Sequence, residues 1–283
     1  MHIASLALAA LAATAEPSTV DVPADEAAAP APRKPTHDLR FDARVDIPVG
    51  LGVGAIGISL VAFRPWLAQK ECRFSCTPEE LNALDGAARN LRWKDPIAAR
   101  TLGDAVGYGL LPAFIVTAGL IGLAEGQPLR EVLEDAWIIG EAMALAHSLE
   151  GVIKLSVGRA RPDTTFMRPG TLVADPSDLY TSMVSGHATA GFAIAVSTGV
   201  VAALRGRSST PWLFLAGLSI AAASSYLRIA ADRHYLTDVI AGAALGTAVG
   251  IAVPLLFHGR RLPITLAPQV SSNGAALLVS GVL

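Results

Sequence analysis

Three short polar stretches interrupt an otherwise apolar chain, and their residue types suit phosphate chemistry. The first, LRIAADRHYLTDVIAG, spans Leu227 to Gly242 and carries Arg228, His234 and Asp238. His234 and Asp238 are four residues apart, so on a helix they would share a face about one turn from each other. A carboxylate so placed can fix an imidazole in one tautomer and leave its other nitrogen as a base or nucleophile. Arg228 supplies a planar fork that matches phosphate oxygens. The second stretch, KLSVGRARP, holds Lys154 and Arg161; the third, MVSGHAT, holds Ser185, Gly186 and His187. Each has an ordinary explanation when taken singly. A His/Asp pair can be structural, cations near a membrane edge can snorkel to headgroups, and Ser185 can be a plain helix N-cap.

The elements that must position these residues are membrane helices. The chain has 283 residues, 52% hydrophobic and 16% charged, against about a quarter charged in a typical soluble domain. Mean hydropathy is +0.47. A net charge of −2 and the lack of a basic stripe argue against a nucleic-acid partner. Apolar runs predict spans over 47–63, 105–124, 129–157, 188–204, 212–227 and 239–257. Glycines loosen the first of these, and small residues throughout the later ones suit close helix packing. Glu141, His147 and Glu150 interrupt the third span and are secondary site candidates, because charges inside a membrane helix are costly and often functional. Between the first two spans lies a polar loop, 64–100, with a helix start expected at Thr77, Pro78 and Glu80. Its Cys72 and Cys76 are read as a disulfide formed outside the cytosol, with unrelated thiols as the alternative.

The ends of the chain read differently. Residues 1–15 resemble a signal peptide, although they lack a basic n-region. Residues 16–46 begin with an Ala/Pro-rich linker. Residues 47–260 form the helical membrane domain, with the catalytic core at about 100–257. The tail, 261–283, alternates around Ser271-Ser272-Asn273-Gly274 and predicts a β-hairpin.

Because helix ends alternate sides, the end of the third span, the start of the fourth and the junction of the fifth and sixth fall on one membrane face. The three polar stretches therefore converge. In that order and spacing they resemble the type 2 phosphatidic acid phosphatase / vanadium haloperoxidase superfamily, whose signature is Lys-x6-Arg-Pro, Pro-Ser-Gly-His and Ser-Arg-x5-His-x3-Asp. Val184 stands where the family has proline, and Leu227 where it often has serine. The resemblance covers about residues 100–257. It implies an all-α, six-helix transmembrane bundle of the acid phosphatase/haloperoxidase type. It also implies a phosphohistidine on His234 oriented by Asp238, His187 as acid and then base, and phosphate held by Lys154, Arg161, Ser185, Gly186 and Arg228. No metal or other cofactor is implied, and vanadate should inhibit as a phosphate mimic. Arg159 reads as a surface or lid residue and Arg233 as a solvated charge. The loop 163–184, with Asp163, Arg168, Asp175 and Asp178, would select the substrate.

The leading expectation is a multi-pass membrane phosphatase acting on lipid phosphates or pyrophosphates. A phosphatase or phosphotransferase for soluble esters is the enzymatic alternative, separable by comparing lipid with water-soluble esters. A non-catalytic phospholipid binder or transporter would need the cations but not the His234/Asp238 pair. Arg205, Arg207, Arg260 and Arg261 lie opposite the site, which points to a site on the extracytoplasmic face. Six spans then require Arg33 to Arg44 to be cytoplasmic, whereas cleavage after residue 15 would place them outside. N-terminal sequencing distinguishes the two.

Overall fold

A computed structural model describes residues 39–167, 175–259, 264–271 and 274–281. The signal-peptide-like segment, most of the linker and Arg168 lie outside these residues. Among the described residues, six helical stretches are long and apolar enough to cross a membrane: Ala43–Ala62, Pro96–Ala124, Leu129–Val157, Gly186–Leu204, Thr210–Ala230 and Leu236–His258. The expected bundle is observed, its regular structure among the described residues being helical apart from one hairpin. Helix α1 (Ala43–Ala62) starts at Asp42, whose carboxylate accepts from the Arg44 N–H. The short α2 (Arg64–Leu67) follows, and α3 (Ala83–Ala88) is capped by Asn82, which accepts from Asp85 N–H.

Two boundaries depart from the sequence reading. At the expected Thr77 start there is only a 3-10 turn, Pro78–Glu80, and Thr77 makes no side-chain cap. The second span begins nine residues before the apolar run, as α4 (Pro96–Ala105). Asp95 caps it by accepting from Ile97 and Ala98 N–H groups, and Pro96 fits the first turn. A π-helical turn, Val106–Leu110, joins α4 to α5 (Leu111–Ala124). The capped turn thus brings Arg100 and Asp104 onto a helix that composition alone assigns to the edge of a loop.

Helix α6 (Leu129–Val157) ends at Gly158, whose φ of +70° turns the chain out of the helix. After α7 (Pro162–Thr165), helices α8 (Gly186–Leu204), α9 (Thr210–Ala230) and α10 (Leu236–Ala252) form the tightest part of the bundle. Small residues permit this approach. A Cβ on Gly246 of α10 would lie 2.3 Å from the Thr189 carbonyl of α8, so nothing larger than glycine fits. The core runs through Leu111, Phe114, Ile138, Ala142, Ala193, Val201, Leu213 and Val253. Strands β1 (Ile264–Ser271) and β2 (Gly274–Gly281) pair antiparallel, so the expected tail hairpin forms; Gly274, expected in the turn, lies in β2 opposite Ser271.

The face away from the polar stretches is tied by its own network. Arg205 and Arg207 pair with Asp135 of α6, and Gln127 donates to the same carboxylate at 2.6 Å.

Candidate active site

A cleft of about 660 Å³ opens among α1, α4, α5, α6 and α8, and Lys154, Arg161, Gly186, His187, Arg228 and His234 all line it. Leu60, Leu111, Pro112, Met143 and Ile194 form its apolar walls. Ser185 and Asp238 are fully buried behind it. The structure therefore gathers the expected residues around one space, two of them as backing.

Lys154 sits in the last turn of α6, one turn after the buried Glu150, which it pairs with. Glu150 also receives His147 Nδ1 at 3.2 Å. Of the three secondary candidates, His147 and Glu150 thus belong to the cleft, whereas Glu141 pairs with His258 at 3.0 Å, further from Lys154 along α6. Arg161 is buried, and its guanidinium is held by the Asp178 carboxylate at 2.8 Å and the Asp178 carbonyl at 3.0 Å. Asp178 is a charge hub, since Arg64 and Arg233 bind it as well. Burial alone would raise its pKa, but Arg161, Arg233 and Arg64 outweigh that and hold it well below the usual carboxylate range.

Ser185 is the N-cap of α8. Its N–H donates to the Asp238 carbonyl at 3.0 Å, and its buried Oγ has no hydrogen-bond partner among the described residues. Gly186 and His187 begin α8, whose first N–H groups and dipole favour an anion. Arg228, near the end of α9, donates to Asp104 at 2.9 Å. His187 Nε2 lies 3.3 Å from the same Asp104 oxygen.

The His234/Asp238 pair is built differently from the expected single helix face. Helix α10 starts at Leu236, so His234 precedes it and only Asp238 is helical. Asp238 Oδ2 accepts from the Tyr235 N–H at 2.9 Å and from Ser182 Oγ at 2.6 Å. Arg159 binds its Oδ1 at 2.6 Å. His234 Nδ1 is 3.7 Å from Asp238 Oδ2, an ion-pair distance rather than a hydrogen bond. On the other side of the ring, Nε2 lies 3.2 Å from Arg161 Nη1. A guanidinium can only donate, so Nε2 carries the lone pair and Nδ1 the proton. Burial first, and then Arg161, Lys154, Arg228 and Arg233, push the His234 pKa well below its ordinary value.

Two readings are corrected. Arg159 is no surface residue: it is buried between Asp85 and Asp238, at 2.6 Å from each. Two opposing carboxylates compensate its desolvation, which a lid position would not need. Arg233 is not a solvated charge; it pairs with Asp163 at 2.6 Å and with Asp178, and it lines the cleft. Asp85 and Asp104 are absent from the sequence reading altogether. Asp85 accepts from the Thr237 N–H at 2.9 Å and from its hydroxyl at 2.7 Å, besides Arg159. Cys72 and Cys76 are joined in a disulfide in the same loop, and Phe74 bridges to Arg159 through the backbone. Among the described residues, no group of three or more His, Cys, Asp or Glu side chains is placed to hold a metal ion.

Residues 135–262 match the PAP2 superfamily. A curated lipid A 1-phosphatase of Porphyromonas gingivalis is 34% identical over 108 residues, which is 38% of this chain and 20% of that protein. The chain thus spans only about a fifth of the length of that relative. Among solved structures, a transmembrane PAP2-type phosphatidylglycerolphosphate phosphatase from Bacillus subtilis aligns with TM-score 0.45 and 17% identity, over 70% of this chain and 93% of that one. A bacterial vanadium-dependent iodoperoxidase aligns with TM-score 0.38 and 18% identity, over 50% of this chain and 37% of that one.

Proposed function

Because residues 135–262 are a PAP2-superfamily match that contains every motif residue from Lys154 to Asp238, we propose that the protein is a membrane phosphatase. It hydrolyses a lipid phosphate or pyrophosphate through a phosphohistidine on His234, without a metal. The observation that carries this reading is the cleft itself. Lys154, Arg161, Arg228, His187 and His234 line it together with apolar residues of the membrane helices such as Leu60, Met143 and Ile194. A phosphate lipid likewise joins a charged part to an apolar one.

The phosphoryl oxygens lie against Lys154, Arg161 and Arg228, with the N-terminus of α8 adding backbone donors. The His234 Nε2 lone pair attacks phosphorus, and the ester bond breaks toward the leaving oxygen, which takes a proton from His187. As Nε2 gains its bond to phosphorus, the ring becomes cationic, and Asp238 stabilises it through Nδ1–H. A shortening of their separation by roughly 0.5–1 Å makes this a hydrogen bond. Water, deprotonated by His187, then attacks phosphorus, and the N–P bond pair returns to Nε2.

The site faces away from the cytosol, and the support for this is the Cys72–Cys76 disulfide in the loop that covers the site side. Basic residues do not decide it. Arg205 and Arg207 lie opposite, but Arg64, Lys70, Arg73, Arg89, Arg92 and Lys94 lie on the site side.

A phosphate-release screen tests the proposal on purified protein in detergent with a chelator present. The panel holds a phosphatidate, a polyprenyl pyrophosphate, a glycolipid phosphate such as lipid A, and a water-soluble ester. Turnover of a lipid substrate that vanadate inhibits is expected. Turnover of the soluble ester alone would replace the lipid reading, and release that needs added metal would overturn the metal-free one.

A further inference from the structure

The two histidines of the proposed reaction need opposite states at the start, one neutral and one protonated. The environment of His234 accounts for the first. Arg228 and Lys154 line the cleft with His187, and both oppose a protonated ring. A carboxylate reaches the ring from outside the PAP2-matched stretch. Asp104 of α4 places Oδ1 3.3 Å from His187 Nε2 and 2.9 Å from Arg228 Nη1. The π-helical turn after it completes the wall. Tyr108 meets the His187 ring edge-on at 5.1 Å, and a Cβ on Gly107 would lie 2.6 Å from His187 Cδ2. The imidazole is thereby confined between a carboxylate, an aromatic ring and bare backbone.

We infer that Asp104 is the positioning residue of the general acid: it holds the His187 Nε2 proton ready for the leaving oxygen and keeps Arg228 beside it. The inference rests on the phosphohistidine reading above. In the first step the N–P bond forms at His234 while the P–O bond breaks. The oxygen keeps that electron pair and takes the Nε2 proton of His187, which becomes neutral. Asp104 exchanges no proton. Its contact with Nε2 lies within ion-pair range but off hydrogen-bond alignment, so the proton can pass to the leaving oxygen. Asp104 also supplies the support for Arg228 that a serine at position 227 would offer; the Leu227 found there cannot.

The dependence on leaving group separates this role from a structural one. p-Nitrophenolate departs without a proton, whereas the alkoxide of a glycerolipid does not. Purified full-length wild type and Asp104→Asn are compared on p-nitrophenyl phosphate and on a short-chain phosphatidate. The expected result is a loss of kcat at least about tenfold greater on the phosphatidate, with recovery of most of the difference in Asp104→Glu. Equal losses on both esters would overturn the inference. So would a lower KM and tighter vanadate inhibition at unchanged kcat, which would mark Asp104 as a plug in the phosphate site. A wild type that hydrolyses neither ester would instead remove the phosphatase reading on which it rests.

Discussion

His234 and His187 show how residue type alone underdetermines chemistry. Both are imidazoles in one cleft, yet His234 is buried among four cations with its lone pair facing Arg161, and His187 has a carboxylate beside it. The His234 pKa is depressed, so the ring is neutral at pH 7 and stays neutral as pH falls through 6.5. The stability it contributes is complete above that point and declines only as pH drops toward its folded value. Ring-nitrogen NMR of labelled protein should show a histidine signal that is still neutral below pH 6 and is absent from His234→Asn; titration of that signal near 6.5 would contradict the burial argument. His234→Ala should lower kcat by roughly 10⁴-fold or more in protein that remains monodisperse in detergent. The motif residues are legible in the sequence because each carries charge or a proton at a fixed local spacing. Their partners are not. Asp104 lies 124 residues from Arg228, and Asp85 lies 74 from Arg159; no periodicity connects such positions.

Among the elements, α3 and the disulfide loop matter more than their polar composition suggests. Asp85 of α3 holds Arg159, which holds Asp238, so a loop before the second span reaches the nucleophile's carboxylate through one guanidinium. Burial would raise the Asp85 pKa, but hydrogen bonds from Thr237 and Arg159 outweigh it and leave the pKa below its ordinary value. That contribution to stability is present above the unfolded carboxylate pKa and is lost as pH falls through the folded one. Asp85→Asn, which leaves Arg159 with one carboxylate partner, should cost about 3 kcal/mol. The check is a denaturant or thermal melt against wild type, and a change under about 0.5 kcal/mol would show the pair to be dispensable. Replacing both cysteines by serine closes no loop in the unfolded chain and should cost about 2 kcal/mol. Helix α4 explains why the sequence placed some boundaries poorly. Hydropathy begins the span at Ala105, but Asp95 and Pro96 start the helix in polar sequence. The Thr77 signal has a similar composition yet yields one 3-10 turn, because tertiary contacts at Asp85 favour the Asn82 start.

The whole molecule places a charged cleft at one end of an apolar bundle and ties the other end with Arg205, Arg207 and Asp135. That polarity leads to a topology prediction. In a cysteine-free background, Lys94→Cys on the site side should react with a membrane-impermeant maleimide in intact cells, while Ser208→Cys should react only after lysis. The reverse pattern would put the site in the cytosol and leave the disulfide without an oxidising compartment. The central claim, however, concerns a covalent bond rather than a location. Purified protein mixed with a turned-over lipid phosphate in the presence of chelator, quenched in alkali within one turnover and digested, can be searched for phosphopeptides by mass spectrometry. The account predicts phosphate on His234, stable to alkali and lost in acid. Phosphate on another residue, or undiminished turnover in His234→Ala, would contradict it.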